Sequence, residues 1–186
     1  LAVGLQALKA LGLSQPAQQL RPLHMVLAKG PALKPLYAHC LGGGTKPRVT
    51  VTSHPAADGQ WVWYLGGDLA EADGVARDAA RQITAAQLEM ADLLPWVDQS
   101  QTRWATLRVD RAEPAQSGLV RPDNAFLAER GRLLVGWPTK LALSPDFTDR
   151  VLAALERDGI QPGSGHARPD LPCPPVGRPV WDELLP

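Results

Sequence analysis

Trp61-Val-Trp-Tyr-Leu-Gly-Gly-Asp-Leu-Ala-Glu71 is an aromatic and apolar run that stops on two glycines and an acidic residue. Five residues rich in aromatic and β-branched side chains predict a strand, and the glycines predict the turn that ends it. A period of two places Trp61 and Trp63 on one face. A second run, Gly131-Arg-Leu-Leu-Val-Gly-Trp-Pro-Thr-Lys140, carries the same signal: apolar residues that end in turn formers.

Working outward from Trp61, Ala57-Asp-Gly59 reads as a hairpin turn. It joins Trp61–Leu65 to an alternating strand over 48–54. Residues 21–28 read as a strand with His24 and Val26 on one face and Leu23, Met25 and Leu27 on the other. A shorter strand over 35–41 runs into Gly42-Gly43-Gly44. On the other side, 74–94 reads as one long helix. Val75, Ala79, Ile83, Ala86, Met90 and Leu93 recur at intervals of three and four, and Pro95 ends it. A strand over 102–110 follows, then a loop over 113–124. A hairpin turns around Glu129-Arg130-Gly131. Ser144-Pro145-Asp146 starts a helix with proline at its first position, and Gly159 stops it. Near the N-terminus 3–11 has helical spacing, with Gly12 as its cap. Hairpins with one long and one terminal helix predict an α+β fold: an antiparallel sheet with helices packed on one face. The expected organisation is one domain over 1–160 and a Pro-rich tail over 161–186.

The chain has 186 residues, 45% of them hydrophobic and 20% charged, which excludes a wholly disordered or fibrous chain. Its 19 basic and 19 acidic residues balance, so no nucleic-acid partner is expected. No apolar run reaches the roughly 20 residues of a membrane span, and no integral membrane segment is expected. Two lone cysteines, Cys40 and Cys173, predict free thiols in a reducing cytoplasm. Leu1 in place of Met reads as a cut from a longer protein.

Little in the chain carries chemistry by motif. The four histidines lie in no metal-ligand spacing, so no metal is expected. No serine sits in a nucleophile elbow. Gly42-Gly-Gly44-Thr-Lys46 lacks the phosphate-loop pattern and a following helix. His39, just before the glycine run, is the best histidine candidate. Arg103, Arg108 and Arg111 are the candidate basic cluster. Arg108 and Arg111 end an apolar strand, and a guanidinium fork suits a carboxylate or phosphate. The strand tryptophans suit core packing, or an aromatic wall over a flat ring.

Taken in order, these pieces resemble the D-amino-acid-oxidase-like superfamily of FAD-dependent oxidoreductases, which includes aerobic glycerol-3-phosphate dehydrogenases. Leu8-Lys-Ala-Leu-Gly-Leu13 resembles the helix after the last strand of their FAD domain. Arg21-Pro-Leu-His-Met-Val26 resembles the strand entering their substrate domain. Trp63-Tyr-Leu-Gly-Gly67 with the long helix, and Arg108-Val-Asp-Arg111-Ala-Glu-Pro114 with Asp123, resemble later segments. Ala112-Glu113 intrudes where the family has Gly-x-Arg-Pro.

The resemblance implies a two-domain flavoenzyme of which this chain is the substrate-domain and C-terminal part. The reaction implied is oxidation of a small amino acid, hydroxy acid or polyol phosphate by hydride transfer to FAD. It implies substrate-binding roles for Arg108, Arg111, His39 and Trp63, and cofactor-facing roles for Trp137, Thr139 and Lys140. No catalytic residue is assigned. The partners implied are the small-molecule substrate, the N-terminal FAD-binding half and, in assembly, a homo-oligomer. The expected location is cytoplasmic, peripheral to the inner membrane face. No Gly-x-Gly-x-x-Gly follows a strand here, so FAD is expected in the full-length parent and not on this part alone. The competing reading is a stand-alone α+β ligand-binding or protein-interaction module without catalysis.

Overall fold

A computed structural model describes residues 6, 8–44, 46–115, 124–137, 140–163, 165 and 170–186. It divides into two compact units: Leu1–Arg21 with Arg111–Pro174, and Pro22–Asp110 with Pro175–Pro186. The divisions fall inside strands β1 (Gln18–Lys29) and β5 (Arg103–Pro114). The last twelve residues fall in the same compact unit as most of the sheet.

The larger sheet runs in the order β2 (Ala38–Leu41), β3 (Pro47–Pro55), β4 (Trp61–Gly66), β1, β5. The β2–β3, β3–β4 and β4–β1 pairs are antiparallel. Leu65 stands opposite both Val51 and Val26, and Trp63 opposite Ser53 and Ala28. Because side chains alternate, this register puts all six on one face. Val26, Ala28, Val49, Val51, Trp63 and Leu65 are buried there against Ala86, Met90 and Leu94. The fold is thus α+β, with an antiparallel sheet carrying its long helix on one face, as the sequence pattern predicts.

The 74–94 helix is in fact two: α1 (Ala72–Ala76) and α2 (Ala79–Leu93). Asp78 breaks it. Its backbone is extended, and its carboxylate accepts the Arg81 N–H at 2.8 Å, an N-cap. The centre of the buried stripe is a polar residue, Gln82, which pattern reading passes over. Its Nε2 donates to the carbonyls of His24 (2.7 Å) and Leu69 (2.9 Å), and its Oε1 accepts from Arg77. His24 Nδ1 lies 2.9 Å from the Gly74 carbonyl, which can only accept, so the proton sits on Nδ1.

The opposite face of the sheet is covered too. Leu27 and Val62 form a second core with Ala56 and Leu185, flanked by Tyr64, Ala105 and Trp181. Trp181 lies in α4 (Val180–Leu184), one turn of helix within the stretch expected to be a Pro-rich tail. Strands β1 and β5 also begin or end beyond the expected spans. Strand β1 begins at Gln18, before the expected 21, and Glu113 and Pro114 are strand where a loop is expected.

In the other unit, β6 (Phe126–Arg130) and β7 (Leu133–Trp137) form the expected hairpin around Gly131, whose φ is +59°. Helix α3 (Ser144–Arg157) has Pro145 in its first turn, after Ser144. The Phe147 ring lies so close to Gly136 that an added Cβ would meet it at 2.1 Å, so only glycine fits under the ring. Both Gly12 and Gly159 end helical turns at positive φ. At Gly12 the N–H of Leu13 reaches the Leu8 carbonyl and that of Gly12 the Lys9 carbonyl. Ile160 and Gly159 repeat the pair on Leu155 and Glu156, the Schellman pattern.

Candidate functional site

The Gly66-Gly67 pair after the decisive strand has a structural cause. A Cβ on Gly66 would meet the Met25 methyl at 2.6 Å. Gly67 has φ of +81° and lies 2.9 Å, at its would-be Cβ, from the Pro47 carbonyl. The two glycines let the chain leave β4 pressed against the start of β3.

The three arginines do not act as one cluster. Arg103 donates to the Pro186 carbonyl oxygen, with Asp58 at 4.0 Å. Arg108 donates to the carbonyls of Val75 (2.9 Å) and Arg77 (2.7 Å). These are carbonyls at the C-terminal end of α1, so the cation caps that helix end. Arg111 turns to Glu113: Nε at 2.8 Å and Nη2 at 2.6 Å, both on one carboxylate oxygen. Partial burial pushes the Glu113 carboxyl up. The Arg111 hydrogen bond, the charges of Arg111 and Arg21, and a bond from Gln19 outweigh it, and the net direction is down. Glu113, one of the two residues that intrude on the family-like Gly-x-Arg-Pro pattern, holds the Arg111 fork.

The remaining candidates fall as follows. Trp63 is 3% exposed in the first core, and its indole N–H donates to the Lys34 carbonyl at 2.7 Å. His39 is exposed on β2, opposite Thr50, while its neighbour Cys40 packs against the core. Burial raises the Cys40 thiol pKa. Trp137 is half-buried at the end of β7, edge-to-face with Phe126 at 5.6 Å between ring centroids. Lys140 is exposed. Thr139 and Asp123 lie outside the described residues.

A dinucleotide pyrophosphate needs free N–H groups at a helix N-terminus. Each of α1, α2, α3 and α4 presents a carboxylate there. Asp78 caps α2; Asp73, Asp146 and Asp182 occupy the first turns of α1, α3 and α4. Asp146 accepts the Ala125 N–H at 2.8 Å and the Arg150 Nε at 3.0 Å, and both bonds hold its pKa low. Anions are disfavoured at all four ends. These four helix ends therefore do not suit a pyrophosphate.

Sequence reading missed one feature altogether. Lys29, whose side chain is 2% exposed, donates to the Leu185 carbonyl at 2.7 Å and pairs with Asp58 at 2.9 Å. Its place before Gly30-Pro31 signals a turn, not a buried cation. The Trp181–Leu185 spacing of four was the available clue.

No family model matches the chain. Its likeness is to proteins described as FAD-dependent oxidoreductases. One is the probable FAD-dependent oxidoreductase PA4991 of Pseudomonas aeruginosa. It is 70% identical over 175 residues, which cover 94% of this chain and 45% of that protein. A crystal structure of the FAD-dependent oxidoreductase from the same organism aligns with a TM-score of 0.87 at 68% identity. The match covers 98% of this chain and 50% of that one. The chain spans about half the length of these relatives. No described helix is long and apolar enough to cross a membrane.

Proposed function

We propose that this chain is the substrate-binding and C-terminal portion of an FAD-dependent oxidoreductase of the D-amino-acid-oxidase-like kind. The observation that carries the reading is 70% identity, over nearly the whole chain, to a protein described as a probable FAD-dependent oxidoreductase. The parent oxidises a small amino acid, hydroxy acid or polyol phosphate, and FAD, held by the parent, accepts the hydride. By itself this chain is inactive, in keeping with helix ends that each carry a carboxylate.

Arg111 is the residue assigned to the substrate anion. Glu113 fixes its fork from one side, and a fixed guanidinium loses less freedom on binding a carboxylate or phosphate. Arg108, His39 and Trp63 complete the substrate-side assignment. Arg108 and Trp63 serve by positioning, through the end of α1 and the sheet core. Trp137, Thr139 and Lys140 are assigned to the cofactor side. The parent is cytoplasmic and peripheral to the inner membrane face.

The test uses the whole protein. Its bound flavin is mixed anaerobically with amino acids, hydroxy acids and polyol phosphates in turn, and bleaching is followed. One donor class should bleach the wild type, and Arg111→Met should slow bleaching by about a hundredfold. Bleaching by none of the three classes, or an unchanged rate in Arg111→Met, would contradict the assignment.

A further inference from the structure

We infer that Val180–Pro186 is a docked peptide ligand of the sheet's outer face, and that the face recognises the same sequence when it is no longer covalently attached. The seat is built from β1, β3, β4 and β5. Leu27, Val62, Tyr64 and Ala105 form its apolar floor. Trp181 from α4 and Leu185 just past its end, four residues apart, both enter it. The Trp181 ring stacks on His54 with centroids 4.5 Å apart, and its Nε1 donates to the Pro55 carbonyl at 3.3 Å.

Polar groups then fix the register. The Asp182 carboxylate accepts the Ala57 N–H at 3.0 Å. Lys29 donates to the Leu185 carbonyl, and Arg103 to that of Pro186. Residues 171–179, which lead into the helix, are all exposed, and Val176 is 95% exposed. Every anchor therefore lies within six residues, as in recognition of an amphipathic helix by its i and i+4 side chains. The ligand chemistry is a short peptide with Trp, an acidic residue next to it, Leu four residues on, and a main-chain carbonyl for a buried ammonium. Lys29, which also pairs with Asp58 at 2.9 Å, adds a charge-assisted hydrogen bond that a docked segment must satisfy. This inference does not depend on the oxidoreductase reading.

The test keeps the full chain. A protease site is inserted between Val176 and Gly177, and the folded protein is cut there. A fluorescein-labelled peptide of residues 178–186 is then added, and anisotropy and near-ultraviolet circular dichroism are followed. The labelled peptide should displace the cut segment and bind saturably to a still-folded protein. Trp181→Ala or Leu185→Ala in the peptide, and Lys29→Met in the protein, should each weaken binding by about tenfold or more. Loss of the folded signal on cutting, or a cut segment that never exchanges, would make 180–186 an integral part of the core and overturn the inference. So would equal binding of the alanine peptides. A dimer of the uncut protein that falls to a monomer on cutting would place the segment on a second copy and overturn the docking within one chain.

Discussion

Trp63 and Arg111 carry the two kinds of residue-scale argument this protein allows. The Trp63 indole fills the core, and its one polar atom is satisfied by the Lys34 carbonyl. Trp63→Ala should therefore cost about 3–5 kcal/mol of unfolding free energy, from lost burial and the cavity left behind. Trp63→Phe, which keeps most of the bulk and removes the N–H, should cost about 1 kcal/mol. Urea denaturation of the two variants separates these terms. Arg111 acts through charge. Glu113 has a folded pKa below its unfolded value, so it contributes stability above the unfolded pKa. That contribution is lost as pH falls through the lower folded value. Arg111→Met removes a main cause of the depression, so its stability should fall less steeply on acidification than that of the wild type. Denaturation midpoints from neutral pH down through the carboxylate range measure the difference; parallel slopes would contradict the pairing.

At the scale of elements, Gly66-Gly67 links local conformation to sheet packing. Gly67→Ala must force a Cβ into a left-handed conformation, at about 1–2 kcal/mol, and into the Pro47 carbonyl as well. It should lower stability by about 2 kcal/mol or more, read as a shift of the denaturation midpoint; an unchanged midpoint would contradict the tight exit from β4. The same segment shows what a sequence discloses. Strand β3 alternates, with Val49, Val51 and Ser53 buried, and the turn leading into β4 carries its own signal at Gly59. The 74–94 helix misleads because α1 and α2 share a nearly continuous apolar pattern. The break at Asp78 is a local side-chain hydrogen bond, and the buried centre, Gln82, is polar. Lys29 and α4 escape for a related reason. Their burial comes from a contact across 156 positions of sequence, which no local pattern encodes.

On the scale of the whole molecule, the candidate site was less legible than the fold. Residue types gave guanidinium forks and aromatic walls, but not their partners. Arg108 is committed to the end of α1, and Arg111 to Glu113, by contacts that depend on chain folding. Helices α1 to α4 each carry a carboxylate at their N-terminal end, and the relatives described as FAD-dependent oxidoreductases are about twice as long as this chain. The most direct test is to express the full reading frame that encodes this chain and record its visible absorption spectrum beside that of residues 1–186 alone. The account predicts the bands of bound oxidised flavin in the full protein, and a colourless 1–186 that stays colourless after FAD is added and the excess removed. A full-length protein that remains colourless with added FAD would contradict it.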